Sequence, residues 1–118
     1  KNSSNCSVED FCSMIAKTVD LMGIDHVGFG SDLCQDQPDS IVEWMRVGKW
    51  TKEVDYGEGS ASNPGFPDMP NWFRDNRGWH NIITGLSKTG FNQEEIDKIK
   101  GKNWFKFFKE SFTPSLKK

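Results

Sequence analysis

The pattern of apolar positions predicts a helix near the start of the chain. Apolar residues recur there at intervals of three and four, the period of an amphipathic helix. Ser7 and Asp10 have the spacing of a capping box at its beginning, and Gly23 is placed to end it. We therefore predict a helix over residues 8–22. Its apolar stripe consists of Val8, Phe11, Cys12, Ile15, Val19 and Met22.

After this helix the period changes from helical to alternating. Residues 24–32 read IDHVGFGSD, an apolar run that predicts a buried strand over 25–31. Alternation places Val27 and Phe29 on one face, while the other face is nearly bare until Asp32. Strands opened by glycines and ending on a carboxylate are typical of barrel strands that deliver a catalytic group. Asp32 is thus the candidate catalytic residue; composition alone favours the alternative that it caps the next turn.

No regular period runs through most of residues 33–75. A short helix that carries Trp44 is expected after Pro38, and repeated Gly and Pro make 51–71 an irregular loop. Loops this long in compact domains are usually functional or disordered. Because this segment leaves the same strand end as Asp32, we predict a lid or wall over a site. A surface excursion packed by its own aromatic side chains is an equally open alternative.

Helical periodicity returns after residue 75. It predicts a helix over 76–89 that Gly90 ends, and Asn92 with Glu95 forms a second capping box that begins a short helix. A last helix is predicted over 103–112, so that the C-terminal helices occupy 76–112. Its apolar side carries Trp104, Phe105, Phe108 and Phe112.

Five helices and one strand do not make a complete fold. A single strand leaves backbone donors and acceptors unpaired along both edges, and no second stretch of the sequence is typical of a parallel strand. A helix followed at once by a buried strand is the second half of a βαβ unit. We therefore predict an α/β protein of which the 118 residues are the end. In this chain alone, residues 24–31 are expected to pair with a second chain or to stay without a ladder.

The composition limits the classes of partner that we expect for this chain. A net charge of −2, from 15 basic and 17 acidic residues, gives no reason to expect nucleic acid or an anionic membrane. No apolar run reaches the roughly 20 residues of a membrane span. Cys6, Cys12 and Cys34 cannot all pair, and free thiols favour a reducing compartment such as the cytoplasm. His26 and His80 lie apart without a nearby ligand partner, so no metal site is expected from this chain alone.

Three motifs together resemble the C-terminal portion of the membrane dipeptidase (renal dipeptidase) family of zinc hydrolases. They are GIDHVGFGSD at 23–32, WMRVGKWTKEVDYGEGSASNPGFP at 44–67 and WHNIITGLSKTGFNQEEIDKIKGKNWFKFF at 79–108. The first and last also resemble other amidohydrolase-like barrels, whereas the middle one favours the dipeptidases. The resemblance implies a (β/α)₈ TIM barrel, of which this chain could hold only the last helix-strand-helix section, mostly helical with one barrel strand.

The resemblance also implies a chemistry. In the family, two zinc ions activate a water that attacks the peptide bond of a dipeptide, but the family's zinc ligands have no counterpart here. Asp32 matches the strand-eight Asp that is assigned to proton transfer or to holding the substrate's amino group. Leu33, Cys34 and Gln35 follow where many members have Phe-Asp-Gly, so no further substrate-binding residue is transferred. His26 lies toward the other end of the strand and is expected to be a packed or hydrogen-bonded core residue.

The function that the resemblance implies is the closing segment of a zinc-dependent dipeptidase, inactive alone. Its partners would be a dipeptide substrate and the remainder of the barrel or a homo-oligomeric partner. The residues leave an alternative open, a non-catalytic interaction module or complementing fragment in which exposed Trp44, Trp50 and Trp72 bind a partner chain or sugar. The two hypotheses differ in whether a His-x-Asp, a Glu and two further His belong to the same polypeptide.

Overall fold

The computed structural model describes residues 5–34, 36–45, 65–66 and 69–113, and of 43–45 only the backbone. None of the helices in these ranges is long and apolar enough to cross a membrane. The elements, in chain order, are α1 (Val8–Met22), a 3₁₀ turn (Ile24–His26), α2 (Ser40–Met45), a 3₁₀ turn (Asn76–Gly78), α3 (Trp79–Thr89), α4 (Gln93–Asp97), a π-helical turn (Lys98–Lys102) and α5 (Asn103–Phe112).

The predicted α/β class is wrong, because the described part of the chain is helical. Residues 25–31 form no strand: Ile24–His26 is a 3₁₀ turn, and Val27 is extended without a ladder. A strand needs a neighbour to complete its backbone hydrogen bonds. Among the described residues, no backbone-to-backbone hydrogen bond joins 28–32 to another segment. The predicted barrel strand, and with it the (β/α)₈ section, is therefore not formed there.

Local signals placed both ends of α1 and the C-terminal end of α3 correctly. The helix predicted from residue 76 begins with the 3₁₀ turn Asn76–Gly78, so that α3 itself starts at Trp79. The Ser7 hydroxyl accepts a hydrogen bond from the Asp10 N–H at 3.0 Å, which completes the capping box of α1. At the other end the Gly23 N–H donates to the Val19 carbonyl at 2.7 Å, with a φ of 83° that favours glycine. Gly90 ends α3 in the left-handed conformation.

A second capping box begins the C-terminal pair of helices. The Asn92 side chain accepts from the Glu95 N–H at 3.1 Å, and the Glu95 carboxylate accepts from the Asn92 N–H at 2.9 Å. The π-helical turn Lys98–Lys102 follows α4 and is interrupted by non-helical backbone angles at Gly101. The non-helical backbone at Gly101 therefore separates α4 from α5.

The core lies where α1 packs against α3. Gly85 permits this contact, because a Cβ at that position would lie 2.6 Å from the Cys12 Sγ. Burial raises the pKa of the Cys12 thiol, since a thiolate would lose its hydration, and the charge of Glu9 adds to the rise. The buried cluster consists of Cys12, Ile15, Val27, Phe73, Ile82, Leu86, Ile96 and Ile99.

About half of the predicted lid at 33–75 lies outside the described residues. Its described part includes α2, at the place where a short helix was expected. The Phe66 N–H donates to Asp39 Oδ1 at 3.2 Å, and the Asp39 carboxylate also lies against Gly65. Two distant parts of the segment therefore meet just before α2.

Candidate functional site

The segment that carries Asp32 is held by side chains in place of a ladder. The Asn103 Nδ2 donates to the Ile24 carbonyl at 2.7 Å and to the Val27 carbonyl at 2.8 Å. Both acceptors lie more than seventy residues away along the chain, so the contact is tertiary. The first turn of α5 thus anchors both ends of the Ile24–Val27 turn.

An ion pair adds a second connection to the same turn. The Lys98 Nζ lies 2.8 Å from the Asp25 Oδ1. This hydrogen bond and the charge of Lys98 lower the pKa of Asp25, and the reciprocal contact raises the pKa of Lys98. Because Asp25 is exposed and Lys98 is only half-buried, the pair orients the turn but contributes little to the stability of the fold.

Aromatic packing holds the next residues of the segment. Val27 is buried, and the half-buried Phe29 stacks on Trp79 with ring centroids 5.1 Å apart. Phe11 meets the Phe29 ring edge-on at 6.2 Å. The alternation predicted from the sequence is therefore confirmed for Val27 and Phe29, although the ladder that it was taken to imply is absent from the described residues.

Asp32 lies at the far end of this anchored segment. It is exposed and has a φ of 48°, a left-handed conformation that Asp tolerates better than most residues. The turn is capped by Ser31, whose Oγ accepts the Leu33 N–H at 3.2 Å. No described residue donates a hydrogen bond to the Asp32 carboxylate. This carboxylate can therefore accept a proton or pair with an ammonium group of a bound molecule.

Neither histidine forms a side-chain cluster with Asp32 among the described residues. His26 is exposed in the 3₁₀ turn, so the prediction that it is a packed core residue is wrong. His80 is also exposed, and its Nδ1 lies 2.6 Å from the Arg77 carbonyl oxygen. Within the described ranges, no three His, Cys, Asp or Glu side chains are grouped so that they could hold a metal ion.

Beside the segment, α5 leaves most of its aromatic residues in solvent. We call this surface the α5 aromatic face. Four of its five rings contact one another, with Phe108 stacked on Trp104 at 5.8 Å and near Phe112 at 6.0 Å. The face consists of Trp104 (46% exposed), Phe105 (72%), Phe107 (55%), Phe108 (50%) and Phe112 (74%).

A groove of about 550 Å³ lies between this face and the 3₁₀ turn. Gly28 forms part of its wall, because a Cβ there would lie 2.6 Å from the Trp104 Nε1. Apolar atoms of Val27 and Phe107 line it, and charged Lys106 and Glu110 also line it. The sequence did not predict this groove, because the groove depends on where α5 docks. The available signal was that the chain contains both a glycine-rich segment and a Trp-containing helix.

The tryptophans of the alternative hypothesis are not equally available. Trp72 is half-buried, its Nε1 donates to the Cys6 carbonyl at 2.7 Å, and its ring packs on Phe11 at 5.4 Å. It therefore serves the fold and is not free to bind a partner. The Trp44 side chain and Trp50 lie outside the described residues.

A comparison of the chain with known proteins found no matching family model, no matching curated protein and no matching solved structure. The motifs of the sequence and the geometry around Asp32 therefore supply the basis for a functional proposal.

Proposed function

We propose that this chain is a segment of a zinc-dependent dipeptidase and that it contributes the Asp32 carboxylate to the site of dipeptide hydrolysis. The proposal is supported by the three motifs that resemble the membrane dipeptidase family. The observation that carries it is the placement of Asp32, exposed at the end of a segment that Asn103 and Phe29 anchor. A carboxylate used in catalysis must be positioned by its surroundings and still be accessible to substrate.

The chemistry assigned to Asp32 needs little from its neighbours. As a carboxylate it accepts the proton that is lost or transferred during peptide hydrolysis, or it pairs with the ammonium group at the N-terminus of a dipeptide. Its exposure allows a substrate to reach it, and Ser31 already satisfies the adjacent Leu33 N–H. No described residue donates a hydrogen bond to the Asp32 carboxylate, and in the proposal its oxygens accept from the substrate.

The described residues do not fit a zinc site. A catalytic zinc ion needs about three protein ligands, and no such group of His, Cys, Asp or Glu occurs in the described part of the chain. The zinc ions of the proposed enzyme would take their ligands from outside this chain, and their role there is to activate water. Asp32 acts in the proposal on the proton or the substrate and is not assigned as a ligand.

The segment 33–75 is proposed to cover the bound dipeptide. The contact of Asp39 with Phe66 brings two parts of the segment together. A loop closed in this way can form one wall of a site and restrict the length of the substrate. Restriction to dipeptides would then follow from the closed loop and from the charge of Asp32.

The decisive experiment replaces one carboxylate in the complete zinc-containing protein. Asp32→Asn keeps the size of the side chain but removes its negative charge and its basicity, so kcat should fall by about 10²–10⁴-fold. Asp36→Asn is the matched control, because Asp36 is also exposed and also has a positive φ, 59°. Asp36→Asn should keep near-native turnover of dipeptides.

The comparison has a clear negative result. If Asp32→Asn retains native kcat, or if both variants lose activity equally, Asp32 has no specific role and the proposal fails. Residues 1–118 assayed alone should show no dipeptide hydrolysis and no stoichiometric zinc after dialysis. One equivalent of tightly bound zinc in that sample would overturn the proposal that the ligands lie elsewhere.

A second function is favoured by one observation, the exposure of the α5 aromatic face. A contiguous apolar surface of this kind is typical of a protein interaction site. The chain would then act as a binding module without catalysis. Loss of dipeptidase activity in Asp32→Asn would separate the enzyme from the binding module, because a binding module has no activity to lose.

A further inference from the structure

The groove between α5 and the 3₁₀ turn Ile24–His26 has the size of a site for a small molecule. Its volume of about 550 Å³ lies within the usual range of such sites, about 300–1,000 Å³. Gly28 keeps this space open, because a Cβ there would lie 2.6 Å from the Trp104 Nε1. The rings of Trp104 and Phe107 line the groove and meet edge-on at 6.3 Å. A ligand of the groove therefore needs an apolar, ring-sized part that packs against this corner.

Two opposite charges on the same wall have no partner among the described residues. Lys106 and Glu110 line the groove four positions apart on α5, which places them on one side of the helix. Neither side chain forms an ion pair or a hydrogen bond with another described residue. A lysine that precedes a glutamate at this spacing is the less favourable order for pairing. Both charges are therefore available to a ligand.

The remaining carboxylate of the groove is already neutralised. The Asp25 Oδ1 lies 2.8 Å from the Lys98 Nζ, so Asp25 does not compete strongly with a ligand for Lys106. The Trp104 indole N–H lies beside Gly28 and has no acceptor among the described residues. The groove thus offers a positive group, a negative group and a neutral hydrogen-bond donor around an aromatic corner.

From this combination we infer that the groove binds a free α-amino acid with an aromatic side chain. The ammonium and carboxylate groups of such a molecule share one carbon atom, so they can meet Glu110 and Lys106 on neighbouring turns of α5 at once. The ring packs against Trp104 and Phe107. The inference goes beyond the proposed function and does not rest on it, because Asp32 does not line the groove.

Ligands with a single charge fit less well. An apolar carboxylate would pair with Lys106 and leave Glu110 close to a like charge, whereas an apolar amine would do the reverse at Lys106. Discrimination of this kind arises from the unfavourable contact as much as from the favourable one. A peptide terminus belongs to this less suitable group, because the terminal residue of a peptide has either a free ammonium or a free carboxylate group.

The test titrates the full chain with L-phenylalanine up to about 20 mM, at about pH 6, where α-amino groups are protonated. The indole N–H resonance of Trp104 should shift and saturate with a Kd of about 1 mM, as expected for so small a ligand. Three analogues each lack one feature: L-phenylalaninamide the carboxylate, N-acetyl-L-phenylalanine the ammonium group and L-alanine the ring. The affinity should fall by about tenfold or more for each analogue.

Substitutions test the two charged contacts separately. Lys106→Gln and Glu110→Gln should each weaken the binding of L-phenylalanine by about tenfold. Lys109→Gln is the matched control, because Lys109 is exposed on the same helix and does not line the groove. Far-UV circular dichroism should show native helix content in all three variants, since these side chains are exposed.

Three results would overturn the inference. The first is a wild-type chain whose Trp104 resonance shows no saturable shift with L-phenylalanine. The second is equally tight binding of L-phenylalaninamide or N-acetyl-L-phenylalanine, which would show that the groove accepts the end of a peptide. The third is an equal loss of affinity in Lys106→Gln and Lys109→Gln, which would reduce the contact to a general effect of charge.

Discussion

Two apolar surfaces of this protein have similar sequence patterns and different surroundings. Between α1 and α3, Leu86 is fully buried and Ile82 is 3% exposed. On α5, Phe105 and Phe112 are more than 70% exposed. Both surfaces arise from apolar residues repeated on one side of a helix, so the pattern alone does not distinguish them. The difference is that a glycine, Gly85, lets α1 approach α3 closely.

This difference shows what an amphipathic pattern predicts and what it leaves open. The pattern indicates that a helix face gains about 1.5–3 kcal/mol for each large side chain that becomes fully buried. It does not say which surface will cover that face. For α3 the cover lies within the chain, whereas the aromatic residues of α5 stay exposed.

The largest expected effect comes from removing a side chain of the buried surface. Leu86→Ala should lower the free energy of unfolding by about 2–5 kcal/mol, because it leaves a cavity among fully buried neighbours. Phe105→Ala is the paired substitution on α5, and in dilute monomeric protein it should change the same free energy by less than about 0.5 kcal/mol. Urea unfolding at about 1 µM measures both. Equal losses would mean that the two surfaces do not differ as described.

A smaller effect is expected where Gly28 lies against Trp104 of α5. Gly28→Ala places a methyl group 2.6 Å from the Trp104 Nε1, so the indole must rotate away at a cost of about 1 kcal/mol. Gly30→Ala is the control, because no atom lies within 4 Å of a Cβ at that position. The indole N–H resonance of Trp104 should move with the first substitution only. A similar displacement by both would place Trp104 elsewhere.

The smallest effect concerns pH. The lowered pKa of Asp25 means that its pairing with Lys98 contributes stability above the unfolded-state pKa, about 3.9, and that this contribution is lost as the pH falls through the folded-state pKa. Asp25→Asn should therefore lower Tm slightly at pH 7 and leave it unchanged at pH 2. Thermal unfolding across this range measures the difference, with the exposed Asp20→Asn as control. A difference that grows toward low pH would contradict the sign of this contribution.

Local signals in the sequence were sufficient for most helices. Helix starts are marked by the capping pairs at Ser7 and Asn92, and helix ends by Gly23 and Gly90. These signals act within a few residues, so they can be recognised without knowledge of the fold. The strand prediction failed because a ladder depends on distant partners. The alternation of residues 24–32 correctly placed Val27 and Phe29 inward, but anchoring by side chains produces the same alternation.

The candidate site was predictable only in part. Asp32 stood out because it ends a glycine-rich segment, and whether it acts in catalysis stays a prediction. Asn103 was missed, since an Asn at a helix start is common and its acceptors at Ile24 and Val27 are distant in sequence. Lys98 was also missed, because its partner Asp25 is distant in sequence. Contacts of this kind depend on how α5 docks, which no local pattern encodes.

Amide hydrogen exchange tests most directly whether the two surfaces differ. At about 1 µM, the amides in the centres of α1 and α3 should exchange slowly and those of α5 much faster, because little tertiary packing supports α5. Equal protection of α5 and α1 would contradict the difference between the buried surface and the exposed aromatic face.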